Sequence, residues 1–84
     1  MHSLPQADAT LDLGEAGCGQ LVMEIMFAMR ALQPDQILRV TAYDPAALPD
    51  IQAWCRMTGN TLLARQPDAG GPLFFLQKGR KSTC

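Results

Sequence analysis

The chain has 84 residues, enough for one compact domain and too few for two. Its residues are 48% hydrophobic and 18% charged, as in an ordinary globular protein. The formal net charge of -1 excludes a strongly basic nucleic-acid binder. The first ten residues contain no apolar run, and no stretch is long enough to span a bilayer, so we expect neither a signal peptide nor membrane association.

Charge is distributed unevenly along the chain. Residues 1–50 contain seven acidic residues and two arginines, a balance of -5, whereas residues 51–84 have a balance of +4. Two solvated faces would account for this difference. The alternative is a basic C-terminal edge that helps the domain to bind an acidic partner or RNA.

The three cysteines, at positions 18, 55 and 84, are an odd number, and no two of them form a Cys-x-x-Cys pair. This pattern argues against a disulfide scaffold and against a structural zinc site. We therefore predict free thiols, a reducing cytoplasm, no metal and no cofactor.

The first half of the chain predicts one strand and one helix after a flexible leader at residues 1–9. In residues 10–13, two leucines alternate with polar residues, which is typical of a strand. A glycine-rich loop at 14–17 ends the strand, and helical spacing runs from 19 to 32. The predicted core-facing residues of this helix are Leu21, Val22, Ile25, Met29 and Leu32.

Three further strands are predicted, at residues 36–42, 60–66 and 72–78. In the first of these, alternate residues point to the core: Leu38, Val40 and Ala42. A hairpin turn at 68–71 joins the last two strands, and residues 79–84 are predicted to be a flexible tail.

A second helix is predicted at residues 51–58. Asp44 is an expected N-cap, Pro49 is expected to interrupt the turn that follows, and Asp50 is expected to cap the helix again. Gly59 supplies a left-handed stop at the C-terminal end.

These elements predict a single domain over residues 10–78 with the order βαβαββ. Two amphipathic helices and four strands form a two-layer α/β sandwich, in which both helices cover one face of a mixed four-stranded sheet. The first strand–helix–strand unit should be a right-handed crossover between parallel strands.

Cys18 is the candidate reactive residue, because it lies in the turn between a strand and the first helix. Backbone N–H groups and the helix dipole converge there, so a thiolate or persulfide anion is stabilised and the cysteine pKa falls from about 8.5. A simple buried or surface cysteine is the alternative. Cys55 lies on the apolar stripe of the second helix and is predicted to be a core residue. Cys84, in the polar tail, is an incidental thiol or a resolving one.

The residues around these cysteines resemble the TusA (also called SirA-like) family of small sulfur carriers, over nearly all of residues 10–78. The resemblance rests on the spacing of the following residues: Leu11, Asp12, Cys18, Asp44, Pro45, Asp50, Ile51, Cys55, Gly59, Phe75 and Lys78. It implies a cysteine that receives a sulfane sulfur as a persulfide and passes it on. Members of the family supply sulfur for tRNA thiolation, molybdenum-cofactor maturation or dissimilatory sulfur metabolism.

The chain departs from the family's Cys-Pro-x-Pro signature, since Cys18 is followed by Gly19, Gln20 and Leu21. Proline preorganises a first helical turn but lacks an N–H group, so its loss frees the loop and adds backbone donors near the sulfur. We predict that the backbone of Gly19, Gln20 and Leu21 stabilises a persulfide. Gln77 replaces the arginine that the family has near the end of the last strand.

Met23, Phe27 and Arg30 align on the first helix, opposite its core face. An apolar pair on the solvent face of a small domain is a candidate docking surface for a partner protein. An ordinary exposed pair, or a weak self-contact, is the alternative.

Together, the residues and the resemblance predict a monomeric, cytoplasmic sulfurtransferase that acts as a persulfide relay on Cys18. Its expected partners are a sulfur donor, of the cysteine desulfurase or rhodanese type, and a sulfur-acceptor protein, without direct contact to nucleic acid. Two alternatives remain: a non-catalytic interaction or regulatory module on the same fold, and a redox-sensing thiol protein.

Overall fold

The computed structural model describes residues 6–15, 17–68 and 71–81. Its elements follow the predicted βαβαββ order, and their bounds are β1 Ala9–Gly14, α1 Cys18–Arg30, β2 Ile37–Ala42, α2 Ala47–Thr58, β3 Thr61–Asp68 and β4 Gly71–Gln77. Most of the predicted leader, the middle of the 68–71 turn and the last three residues of the tail lie outside the described residues.

The four strands form one sheet in the order β1-β2-β4-β3. Strands β1 and β2 pair in parallel, because helix α1 carries the chain back between them. The pairs β2–β4 and β3–β4 are antiparallel. The predicted mixed sheet is therefore confirmed, and its two parallel strands end side by side at Gly14 and Ala42.

Among the described residues, a hydrophobic core lies between the sheet and the helices. The alternation predicted for β2 is confirmed, since Leu38, Val40 and Ala42 are fully buried while Arg39 is exposed. The other large residues of this core are Leu13, Leu21, Ile25, Met29, Leu32, Ile51, Trp54, Cys55, Phe74 and Leu76. Both helices contribute to this one cluster, as expected for a two-layer α/β sandwich.

Helix α1 begins one residue earlier and ends two residues earlier than predicted. Its core-facing residues are as expected, except that Val22 is only partly buried and Leu32 packs from the turn beyond the helix. In that turn, Asp35 adopts a positive φ of 73°. A short polar residue tolerates this left-handed conformation better than a β-branched one.

The predicted start of α2 is wrong. Neither Asp44 nor Asp50 caps it, because the helix runs unbroken from Ala47 with Ala46 as its N-cap. Pro49 is the third helical residue, where its missing N–H has no intrahelical acceptor to lose, so it does not interrupt the helix. Asp50 lies in the first turn, where a carboxylate interacts favourably with the helix dipole.

The C-terminal end of α2 agrees with the prediction. Gly59 adopts the left-handed conformation, with φ at 80°, and its N–H donates to the Cys55 carbonyl at 3.0 Å. Strand β3 starts one residue later than predicted. It contains an irregularity between Leu62 and Ala64, and Leu63 is 41% exposed.

Residues at both predicted boundaries of the domain make specific contacts. Asp8 bonds the backbone of Ile37 through both its own N–H and its carboxylate, each at 2.8 Å. After β4, the Lys78 ammonium donates to the Leu32 carbonyl at 2.7 Å, and the Gly79 N–H donates to Asn60 Oδ1 at 2.9 Å. Two cations of the basic half are thus engaged within the domain, since Arg80 also pairs with Asp35 at 3.0 Å.

Candidate functional site

Cys18 is the first residue of α1, so the predicted reactive cysteine lies at a helix N-terminus. Gly17 is the N-cap, with extended backbone angles (φ -82°, ψ 179°) and no side-chain hydrogen bond to the helix. The first turn contains no acidic residue. The positive end of the helix dipole is therefore not offset by a capping carboxylate.

The backbone donors of this turn differ in their availability. The Leu21 N–H donates to the Gly17 carbonyl at 2.7 Å, so it already belongs to the helical hydrogen-bond ladder. The N–H groups of Cys18, Gly19 and Gln20 come earlier in the helix and have no acceptor within it. Of the three residues predicted to stabilise a persulfide, Leu21 has its N–H bonded within the helix, whereas the N–H groups of Gly19 and Gln20 have no acceptor there.

The loop before Cys18 is fixed to the loop that follows β2. Gly14 has a positive φ of 55°, and its N–H donates to Asp12 Oδ1 at 2.9 Å. Its carbonyl accepts a hydrogen bond from the Tyr43 N–H at 3.0 Å. Since β1 and β2 are parallel and adjacent, this bond joins the carboxyl ends of both strands and places Gly14, four residues before Cys18, beside Tyr43.

A cleft of about 600 Å³ lies at this junction, lined by Gly14, Glu15, Tyr43, Asp44 and Pro45. Tyr43 is 44% exposed. Asp44 stabilises the second loop through its Oδ1, which accepts the Ala46 N–H at 3.0 Å. Crevices outside the carboxyl ends of parallel strands are where open α/β sheets bind their ligands.

Met23 and Phe27 lie on the solvent side of α1, as predicted, with 53% and 52% of their surface exposed. Arg30 is exposed as well, and its guanidinium carbon is 5.7 Å from the centroid of the Phe27 ring. Its Nη2 also approaches Met26 Sδ at 3.8 Å. The three predicted docking residues are thus all exposed on α1, and we call them the α1 patch (Met23, Phe27 and Arg30).

Cys55 is buried in the core, as predicted, with 5% of its surface exposed. It borders a second, smaller cleft of about 340 Å³, lined by Gln52, Cys55, Arg56, Asn60, Thr61 and Leu62. Asn60 is itself buried and hydrogen-bonded to both Thr58 and Gly79. Its role here is to connect the end of α2 to the segment after β4.

Sequence reasoning missed three exposed hydrophobic residues, Tyr43, Met57 and Leu63. Met57 is 79% exposed on α2. On a helical wheel, Met57 lies opposite the buried residues Ile51 and Cys55, and this position predicts exposure. Tyr43 had no such signal, because its position depends on the pairing of β2 with β1.

The described part of the chain was searched for a metal site and for a membrane-spanning helix, and neither was found. No three His, Cys, Asp or Glu side chains lie close enough together there to hold a metal ion. None of its helices is long and apolar enough to cross a membrane.

Comparison with known proteins identifies the family of this chain. The family model described as "Sulfurtransferase TusA" matches residues 9–78. "Sulfur carrier protein TusA" of Pseudomonas entomophila (strain L48) is 37% identical over 71 residues, which cover 84% of this chain and 89% of that relative. The protein of the same name from Pseudomonas putida (strain GB-1) matches equally well. The one from Pseudomonas paraeruginosa (strain DSM 24068 / PA7) is 35% identical over the same length.

The family model spans every helix and strand of the domain, and the relatives match along most of their own length. The earlier resemblance is thus confirmed, and the chain belongs to the TusA sulfurtransferase family.

Proposed function

We propose that this protein is a sulfur carrier that accepts a sulfane sulfur on Cys18 and relays it to an acceptor protein. Membership of the family and the names of the relatives support the carrier role. The observation that supports Cys18 as the carrier residue is its position as the first residue of α1, in a turn without acidic residues. A sulfur carrier needs a donor and an acceptor protein.

The transfer is a thiolate displacement. The Cys18 thiolate attacks the outer sulfur of a donor persulfide, the S–S bond of the donor breaks, and the donor leaves as a thiolate while Cys18 becomes Cys–S–SH. In the second half, an acceptor thiolate attacks the outer sulfur on Cys18, and the Cys18 thiolate is the leaving group. The sulfane sulfur moves between partners without an external oxidant or reductant.

The first turn of α1 supports both halves of this exchange. Cys18 is an anion before loading and a leaving thiolate after unloading, and the Gly19 and Gln20 N–H groups together with the helix dipole stabilise negative charge there. We expect the Cys18 pKa to lie below that of a free cysteine for this reason. A thiolate at neutral pH is the nucleophile that sulfur acceptance requires.

The α1 patch is the proposed docking surface for a partner. Phe27 and Met23 present apolar area in a domain whose other apolar residues are mostly buried, and Arg30 adds a charge. The patch begins about one turn beyond Cys18 on the same helix, so a protein bound there lies near the start of α1. We propose a cysteine desulfurase or a rhodanese as donor, and a monomeric carrier in the cytoplasm that does not bind nucleic acid directly.

The test is sulfur loading measured by intact mass. Incubation with a cysteine desulfurase and cysteine, or with a rhodanese and thiosulfate, should add one sulfur atom that reduction removes. Loading should be lost in Cys18→Ala and persist in Cys55→Ala and Cys84→Ala. Loading of Cys18→Ala, or a wild-type protein that neither donor loads, would contradict the proposal and favour a non-catalytic interaction module.

A further inference from the structure

The methionines in the described part of the chain differ widely in their exposure to solvent. Met57 is 79% exposed on α2, and Met23 is 53% exposed on α1. Met26 is partly buried, and Met29 is fully buried in the core. An oxidant dissolved in water must reach the thioether sulfur to convert it into a sulfoxide. Exposure therefore makes Met57 and Met23 the accessible methionines and protects Met29.

Met26 is protected in a second way, through its sulfur atom. Arg30 Nη2 donates to Met26 Sδ at 3.8 Å, so a cationic donor occupies a lone pair of that sulfur. Because oxidation of a thioether uses a sulfur lone pair, this contact disfavours attack on Met26. On α1, the structure thus directs oxidation to Met23.

Met23 is also the methionine of the α1 patch. Phe27 lies four residues further along α1, and residues at this spacing are neighbours on a helix surface. Oxidation turns the flexible apolar side chain of methionine into a polar, chiral sulfoxide. A partner that covers the patch would then have to remove water from the sulfoxide oxygen, and this desolvation weakens binding.

We propose that Met23 is a site of reversible oxidation by hydroperoxides, and that its sulfoxide weakens the docking of a partner protein at the α1 patch. This inference rests on the proposed function, because it concerns regulation of the surface through which Cys18 meets its sulfur donor. Met57 is equally open to oxidation but lies on the other helix, so it provides an internal control.

The oxidation is an oxygen-atom transfer. The Met23 sulfur attacks the terminal oxygen of the hydroperoxide, the O–O bond breaks and an S–O bond forms, and water or an alcohol leaves. The sulfur is oxidised by two electrons, which the peroxide accepts. A methionine sulfoxide reductase reverses the change, because two thiols become a disulfide while the sulfoxide oxygen leaves as water.

The site of oxidation is tested with Cys18 protected, since its thiolate also reacts with peroxides. The cysteines are capped as methyl disulfides with methyl methanethiosulfonate, the protein is treated with hydrogen peroxide, and dithiothreitol then restores the thiols. Peptide mapping by mass spectrometry measures the sulfoxide at each methionine. We expect Met57 and Met23 to be oxidised first and Met29 last. Oxidation of Met23 that is no faster than that of Met29 would overturn the proposal.

The effect on docking is tested as the rate of sulfur loading by a cysteine desulfurase with cysteine. Peroxide treatment should slow loading at least about fivefold, and a methionine sulfoxide reductase should restore it. Met23→Leu and Met57→Leu are each compared with the same variant before treatment. Met57→Leu should show the wild-type fall, whereas loading of Met23→Leu should change less than about twofold on treatment. A loss of sensitivity in Met57→Leu alone would overturn the assignment to Met23.

Alkylation by neutral iodoacetamide measures the reactivity of Cys18 without a docked protein. Its rate should stay within about twofold after oxidation of Met23. An equal fall in alkylation and loading would mean that the sulfoxide acts on the thiol or on the fold, and the effect on docking would be wrong. Undiminished loading of a protein fully oxidised at Met23 would overturn this inference alone. An untreated wild-type protein that no donor loads would overturn the carrier function on Cys18 and this inference with it.

Discussion

Gly79 lies directly against Gly59, so that a Cβ atom on Gly79 would overlap the Gly59 carbonyl oxygen. The contact joins the segment after β4 to the C-terminal cap of α2. Backbone atoms cannot move aside as the end of a side chain can. The space at Gly79 is therefore available only to a residue without a side chain.

Gly79→Ala should destabilise the domain by about 1–3 kcal/mol, because the added methyl forces two backbone segments apart. Urea denaturation measures this loss. Gly19→Ala is the matched control, since no atom lies within 4 Å of its would-be Cβ and alanine favours a helix. Equal stability of the two variants would contradict the observed contact.

Lys78 and Arg80 should differ in their contributions to stability. Lys78 is partly buried and donates to the Leu32 carbonyl beyond α1, so Lys78→Met should cost about 1–2 kcal/mol. The Arg80–Asp35 pair is largely exposed, so Arg80→Ala should cost about 0.5 kcal/mol or less. Thermal unfolding of both variants measures the two losses of stability. A larger loss in Arg80→Ala than in Lys78→Met would contradict this prediction.

Replacing both Met23 and Phe27 by serine should weaken sulfur transfer from the true partner without unfolding the domain. About half of each side chain is exposed, so the melting temperature should fall by no more than about 3 °C. Met57→Ser, on the other helix, is the control for loss of an exposed apolar residue. If Met57→Ser reduced sulfur transfer as much as the double variant does, the α1 patch would have no special role in docking.

Gly19→Pro should fold normally and raise the pKa of Cys18. Proline is tolerated in a first helical turn, and the space where a side chain would begin at Gly19 is open. The substitution removes one N–H group that is proposed to stabilise the thiolate, so less thiolate is present at neutral pH. The pH dependence of Cys18 alkylation measures the shift, and an unchanged midpoint would exclude this N–H from the mechanism.

Elements that follow a local pattern were predictable from the sequence. The alternation of Leu38, Val40 and Ala42 and the helical arc from Leu21 to Met29 both place apolar residues on the buried side. The position of Cys18 at the start of α1 was predicted within one residue, because the glycines before it end a strand.

Features that depend on long-range pairing were not predictable. The cleft exists because the Tyr43 N–H bonds the Gly14 carbonyl across two strands, and no local pattern reveals that pairing. The start of α2 was misread for another reason: Pro49 resembles a helix breaker, but it lies where the helix needs no N–H donor.

The antiparallel pairing of β4 with β2 determines where the chain leaves the sheet. Gln77 pairs with Ile37, and Ala9 pairs with Leu38, whereas Gly14 and Tyr43 meet at the other end of the same strands. Strand β1 therefore begins, and β4 ends, at the end of the sheet opposite the junction beside Cys18. A tether joined to the chain just before β1 or just after β4 would therefore leave the junction beside Cys18 at the opposite end of the sheet, which suits surface-based measurements of partner binding.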